Sequence, residues 1–123
     1  MNTRQLRGVQ AHASGLNAET QAAKALEGVG LKVLARRLRT PFGEIDLIVA
    51  DAEWVIAVEV KQRKTLKESA EALSQKQSQR LLAAFDYVLS VRPEWGRPNT
   101  RFDLVVVDQK GRTRRIQDAL RAF

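Results

Sequence analysis

The chain has 123 residues, of which 44% are hydrophobic and 28% charged, and its net charge is +7. This length and composition predict a globular domain with a modest hydrophobic core rather than a disordered chain. The absence of cysteine excludes disulfides, thiol nucleophiles and thiolate zinc sites, and the single histidine, His12, gives no basis for a Ser-His-Asp triad.

The first predicted element is a helix that follows a leader. Residues 1–13 show no hydrophobic periodicity and are predicted to form a flexible leader. Ser14 or Asn17 can cap the helix, and Gly28 and Gly30 are predicted to end it. The apolar residues that recur at helical spacing are Ala18, Ala22, Ala25, Leu26 and Val29.

Three strands are predicted next, and the last two form a hairpin. Residues 31–38, 43–50 and 54–61 alternate in polarity, and a three-residue link joins the last two runs. Alternate side chains of a strand point to opposite faces of its sheet. The apolar residues predicted to share one face of the first hairpin strand are Ile45, Leu47 and Val49.

The second half of the chain is predicted to contain a long helix and a buried strand. Residues 74–77 have the form of a capping box, and the helix that they open stops before Pro93. Its buried side is predicted to contain Leu81, Leu82, Phe85, Val88 and Leu89. The apolar run 102–107 is typical of a strand buried on both faces, and 113–117 is predicted to be an edge strand.

This order of elements predicts an α/β fold of two or three layers with a mixed central sheet. The first three strands are predicted to form a meander. A helical crossover allows the strand after the long helix to pair in parallel. Neither an internal repeat nor a second domain is evident, so 14–123 is predicted to be a single domain.

Three charged residues near the ends of the hairpin strands suggest a metal site. Strand alternation predicts that Asp46, Glu59 and Lys61 meet on one side of the sheet, an arrangement that is costly without compensation. The two carboxylates are hard ligands suited to Mg²⁺ or Mn²⁺, and the main-chain carbonyl of Val60 would add another. With Lys61 stabilising the transition state, the site would hydrolyse phosphodiesters. A salt bridge between Glu59 and Lys61 at the strand end is the structural alternative.

The basic residues form clusters that suit a polyanionic partner. The positions predicted to bind nucleic acid beside the site are Arg36, Arg37, Arg39, Arg63 and Lys64. A solvated basic surface without any nucleic-acid role is the alternative. Two further residues have ordinary explanations when taken alone. Glu19 suits the first turn of a helix because of the helix dipole, and Lys76 is typical of a solvated helix surface.

Two strings in the chain resemble the signature of the YraN family of bacterial endonuclease-like proteins. They are Gly43-Glu-Ile-Asp-Leu-Ile and Val58-Glu-Val-Lys-Gln-Arg63, and the resemblance extends over nearly the whole chain from Gly15. It implies a restriction-endonuclease-like core of the PD-(D/E)XK superfamily, similar in fold to archaeal Holliday-junction resolvases. Gln62 departs from the family's usual threonine after the motif lysine. Arg37-Leu38 replaces an Asn-Trp pair often found before the first string.

The resemblance also implies roles for individual residues. Asp46 and Glu59 would be metal ligands, Lys61 the catalytic lysine, and Glu19 a further acidic contributor to catalysis. Lys76 would contact phosphate or help to set the site.

We therefore expect a metal-dependent nuclease that acts on DNA, including branched DNA. The alternatives are a non-catalytic nucleic-acid-binding module that keeps a nuclease fold, and an RNA- or ribosome-associated factor. Resolving a four-way junction needs two cuts, which predicts a two-fold dimer formed through an exposed sheet edge or the apolar tail with Leu120 and Phe123. The chain lacks an apolar run suited to a membrane span or a signal peptide, so we expect a cytoplasmic protein without membrane contact.

Overall fold

The computed structural model describes residues 18–66 and 75–119 of the chain. The described elements, in chain order, are helix α1 (18–28), β1 (Lys32–Thr40), β2 (Gly43–Ala50), β3 (Trp54–Gln62), helix α2 (Gln75–Val91), a 3₁₀ turn (Pro93–Trp95), β4 (Asn99–Val107) and β5 (Thr113–Ile116). The predicted leader 1–13, the caps Ser14, Asn17 and Ser74, and the tail residues Leu120 and Phe123 lie outside the described residues.

The five strands form one mixed sheet in the order β1-β2-β3-β4-β5. The first three strands pair antiparallel, β4 pairs in parallel with β3, and β5 pairs antiparallel with β4. The predicted meander and the predicted parallel strand are both confirmed. Because α2 connects the parallel strands β3 and β4, it runs antiparallel to β3. The N-terminal end of α2 therefore lies near the C-terminal end of β3, which carries Lys61.

A helix covers each face of the sheet, so the domain has three layers. On one face, Leu26 and other residues of α1 pack against Val49, Val58 and Val105. On the other, Leu81 and Phe85 of α2 pack against residues of β2, β3 and β4. Side chains of β4 enter both clusters, which confirms that this strand is buried on both faces. The arrangement agrees with a restriction-endonuclease-like α/β core.

Two predictions about apolar faces are wrong. Ile45 packs in the cluster under α2, whereas Leu47 and Val49 pack under α1, so the three residues do not share a face. The alternation of β2 breaks between positions 45 and 47, where β2 leaves β3. Val29 is 65% exposed because the helix ends at residue 28, and Ala23 is buried within the α1 face.

A buried carboxylate ties the edge strand β5 to the sheet. Asp103 of β4 is fully buried. It accepts two hydrogen bonds from Arg101, at 2.7 and 3.1 Å, and one from Arg115 of β5 at 3.0 Å. The main-chain N–H of Asp118 donates a fourth at 3.0 Å. A buried charge persists only when paired in this way, so Asp103 is a structural residue.

Candidate active site

Asp46 is fixed at the point where β2 and β3 separate. Their regular pairing ends at Leu47 opposite Val58. Beyond it, the main-chain N–H of Val60 donates a hydrogen bond of 2.8 Å to Oδ2 of Asp46. A side-chain carboxylate thus takes the donor that a neighbouring strand would otherwise satisfy. β2 therefore holds this carboxylate in a defined orientation, near the C-terminal end of β3.

The backbone across from Asp46 is also irregular. Arg37 of β1 lies between the paired positions Arg36–Leu47 and Leu38–Ile45, and its φ is +48°. This left-handed conformation costs a non-glycine residue about 1–2 kcal/mol. Backbone distortions of this kind in sheets are common beside functional sites. Here the distortion coincides with the strand positions that present the carboxylate.

Glu59 lies in a setting that disfavours its negative charge. Its side chain is 15% exposed. Burial, together with the charge of Asp46 and a hydrogen bond to it, raises the pKa of Glu59 to about 7, and the charges of Lys61 and Arg80 oppose that rise. Nζ of Lys61 lies 3.7 Å from Oε1 of Glu59. At neutral pH the carboxyl pair therefore holds a proton part of the time, as two close carboxylates do when no cation is between them.

The predicted catalytic residues Asp46, Glu59 and Lys61 come together near the C-terminal end of β3, but they do not share one face of the sheet. Asp46 and Glu44 line a pocket on the α1 side. Val58 packs under α1, so strand alternation directs Glu59 and Lys61 toward α2. Asp46 and Glu59 nevertheless interact, because β2 and β3 separate at this point.

Glu19 reaches the same pocket but is engaged by a cation. Nε of Arg37 donates a hydrogen bond of 2.8 Å to Oε2 of Glu19, whose side chain is 12% exposed. Residues lining this pocket include Glu19, Arg37, Glu44, Asp46, Val60 and Gln62. The pair joins α1 to the irregular position of β1, so Arg37 contacts a protein carboxylate in this state.

The other predicted nucleic-acid contacts are spread around the site. Arg36 and Arg39 are exposed on the edge strand β1, and Nε of Arg39 lies 4.0 Å from Oε2 of Glu44. Nη1 of Arg63 donates to the main-chain carbonyl of Gln62 at 2.8 Å. Two further lysines, Lys64 after β3 and Lys76 in the first turn of α2, are exposed.

Sequence reasoning missed Arg80, a cation of α2 that acts on the site. Its charge is close enough to lower the pKa of Glu59, and its side chain lies against Gly43 at the start of β2. A glycine within a strand pattern often marks the close approach of another group. Gly43, together with an arginine one turn after Lys76, was the available signal.

The described carboxylates fit a divalent cation as a pair. Within residues 18–66 and 75–119, no group of three or more His, Asp or Glu side chains is arranged to hold a metal ion. Asp46 and Glu59 offer hard oxygens, and Val60, the predicted main-chain ligand, lines the pocket with Asp46. Mg²⁺ and Mn²⁺ accept such sparse protein ligation because water and substrate phosphate complete their shells. A cation would also neutralise the repulsion between Asp46 and Glu59.

The fold is that of a class, the restriction-endonuclease-like α/β domains. The chain belongs to the uncharacterised protein family UPF0102, whose family model matches residues 18–107. UPF0102 is the YraN family, so the resemblance noted from the sequence motifs is confirmed.

Several similar proteins belong to the same family. The chain is 53% identical over 117 residues to a UPF0102 protein of Granulibacter bethesdensis, covering 94% of this chain and 73% of that protein. It is 44% identical over 108 residues to a UPF0102 protein of Acidiphilium cryptum, covering 88% and 84% of the two chains. A UPF0102 protein of Azorhizobium caulinodans is 39% identical over 109 residues, covering 89% and 83%. None of these names states an activity.

Proposed function

We propose that this protein is a metal-dependent nuclease that hydrolyses phosphodiester bonds in DNA. The observation that carries the proposal is the placement of Asp46 beside Glu59 and Lys61. Oδ2 of Asp46 accepts a hydrogen bond of 2.8 Å from the main-chain N–H of Val60, and Nζ of Lys61 lies 3.7 Å from Oε1 of Glu59. Two adjacent carboxylates on a chain of net charge +7 suit a bridging cation and a polyanionic substrate.

Each residue of the site has a distinct task. Asp46 and Glu59 would hold Mg²⁺ or Mn²⁺, which when bound supplies Lewis acidity toward the scissile phosphate. The hydrogen bond from Val60 keeps the Asp46 carboxylate oriented before substrate arrives. Lys61, already beside Glu59, stabilises the negative charge that develops on the phosphate during attack.

The basic surface around the site supports a nucleic-acid substrate. Arg36 and Arg39 on β1 and Lys76 on α2 are exposed and attract backbone phosphate. Branched DNA is the proposed substrate within this class, and its resolution requires two sites in a two-fold dimer. Among the described residues, no helix is long and apolar enough to cross a membrane.

One observation favours a second candidate, a nucleic-acid-binding module without catalysis. Glu19, the further acidic residue implied by the family resemblance, is paired with Arg37 at 2.8 Å. If this pair persists when DNA binds, the protein keeps the surface of a nuclease while the third carboxylate contributes nothing to the reaction.

Cleavage assays decide between the two candidates. The wild-type protein is incubated with end-labelled linear, single-stranded and four-way-junction DNA, in Mg²⁺, in Mn²⁺ and in EDTA. Asp46→Asn is purified in parallel, since a contaminating nuclease would survive this substitution. Glu53→Gln removes an exposed carboxylate from the β2–β3 turn and serves as the charge-matched control.

A nuclease cuts at least one substrate only when metal is present, loses this activity in Asp46→Asn and keeps it in Glu53→Gln. Cleavage that is equal in Asp46→Asn and wild type would refute the proposed site. DNA binding without cleavage of any substrate would favour the binding module.

A further inference from the structure

The Arg80 side chain lies against Gly43. Gly43 has a φ of +137°, and a Cβ added to it would lie 3.2 Å from Cδ, 3.3 Å from Nε and 3.4 Å from Cγ of Arg80. Contacts this short would require the arginine to move by a few tenths of an ångström. The absence of a side chain at Gly43 therefore leaves room for Arg80 to extend from α2 over the first residue of β2.

The guanidinium group of Arg80 is exposed and can bind a ligand. Ion pairs among the described residues engage Arg37 with Glu19, Lys61 with Glu59, and Arg39 with Glu44. Within the described part of the chain, no ion pair or side-chain hydrogen bond involves Arg80, which is exposed. Arg37, Arg39 and Lys61 thus already contact protein carboxylates, whereas the guanidinium of Arg80 has no such partner among the described residues.

Arg80 is also near the reacting centre. Its side chain lies against Gly43, which stands three residues before Asp46 in the same strand, β2. Ile45, two residues after Gly43, packs in the same cluster as Leu81, the residue that follows Arg80. This packing holds the relevant turn of α2 against the strand that carries Asp46.

We propose that Arg80 binds a backbone phosphate of the nucleic-acid strand beside the carboxylate pair, on the α2 side of the site, and that Gly43 leaves room for its side chain there. The inference rests on the proposed function, because it assumes a nucleic-acid strand at this edge. A guanidinium presents two parallel N–H donors that match two oxygens of one phosphate, which lysine does not. Arg80 then holds the strand on the same α2 side toward which strand alternation directs Lys61.

Binding is measured without metal, so that the result does not depend on cleavage. Fluorescence anisotropy of a labelled linear duplex is recorded in EDTA over a salt series for Arg80→Gln and Arg80→Lys. Arg92→Gln is the matched control, because Arg92 is exposed just beyond the far end of α2, stacks on Trp95 and carries the same charge. At about 50 mM salt, loss of one phosphate contact lowers affinity about tenfold and reduces the salt slope by about one.

Gly43→Ala tests whether Arg80 needs the space that Gly43 leaves beside β2. The added methyl shifts the Arg80 side chain by a few tenths of an ångström, so Gly43→Ala weakens binding, but by less than Arg80→Gln does. The double variant is then no weaker than Arg80→Gln alone, since both substitutions act on the same contact. Circular dichroism and thermal unfolding identify any loss of fold caused by alanine at this φ. Arg80→Lys introduces no backbone strain, and we expect its affinity to lie between those of Arg80→Gln and the wild type.

The outcomes separate this inference from the proposed function. Equal affinities in Arg80→Gln and Arg92→Gln would overturn the Arg80 contact, even if the wild-type protein cuts DNA. A selective loss in Arg80→Gln supports it, even if no substrate is cut. Wild-type protein that fails to bind the duplex at about 50 mM salt would also overturn it, because no phosphate contact would then exist.

Discussion

Replacing Glu59 with glutamine should stabilise the metal-free protein, although it removes a residue of the candidate site. The folded state raises the pKa of Glu59 to about 7 from an ordinary value of 4.5, through burial and through Asp46. The folded protein therefore retains a proton that the unfolded chain has already released. Wild-type stability must fall as the pH rises from about 4.5 to about 7, and it should be level above that range as far as Glu59 is concerned.

The size of this effect follows from the pKa difference. One pKa unit corresponds to about 1.4 kcal/mol, so the wild-type protein loses about 3 kcal/mol across the window. Glutamine cannot ionise and loses nothing there. The attraction of Lys61 is already contained in the pKa of about 7, because the charge of Lys61 is one of the causes that set that value. The net gain of Glu59→Gln over wild type should therefore reach about 3 kcal/mol near pH 8 and vanish near pH 4.5.

Denaturant unfolding in EDTA at a series of pH values measures this gain. Asp46→Asn should shift stability in the same direction, because its amide oxygen can still accept the hydrogen bond from Val60 while the repelling charge is gone. Glu53→Gln, at an exposed position, should track the wild type at every pH. A Glu59→Gln gain that does not grow with pH, or a loss of stability in both site variants, would refute the argument from carboxylate repulsion.

Four other predictions concern metal, catalysis, charge and assembly. Calorimetric titration should show Mn²⁺ binding to the wild type and affinity reduced about tenfold or more in Asp46→Asn or Glu59→Gln, whereas unchanged affinity in both would exclude the site. Lys61→Ala should abolish cleavage and leave DNA affinity nearly intact in gel-shift assays, because one lysine is a small part of the phosphate contacts, and equal losses would make it part of the basic surface only. Affinity for DNA should fall with salt with a slope indicating about four or more released counterions, and a nearly flat dependence would reduce the +7 charge to a solvated surface. The residues expected to contribute to this slope are Arg36, Arg37, Arg39, Arg63 and Lys64. Light scattering should detect a two-fold dimer with or without a junction, and a strict monomer in both conditions would remove the junction-resolving role while leaving a simpler nuclease.

The sequence by itself determined the order and type of the elements. The alternation of 43–50 and 54–61, and the apolar run 102–107, are local patterns that depend on how each strand faces its core. The link between the first two runs is too short for anything but a hairpin, and the helix before the third allows a parallel pair. These constraints act within short stretches of chain, so the meander and the parallel strand followed from them.

Tertiary structure alone decided how the site is assembled. Strict alternation predicted one face for Ile45 and Leu47, but β2 separates from β3 between them because Asp46 takes the Val60 donor. The pairing of Glu19 with Arg37 joins residues 18 positions apart. No local pattern specifies such a contact, since it depends on how α1 packs on the sheet.

The contact between Arg80 and Gly43 is another feature that no local sequence pattern predicts. As a residue of an amphipathic helix it looks like any solvated arginine, and Gly43 looks like a turn glycine. Their contact exists because α2 crosses the start of β2 closely enough for a Cβ at position 43 to lie 3.2 Å from the arginine. The sequence supplied the charged groups, but only packing of the helices on the sheet determined which charges meet.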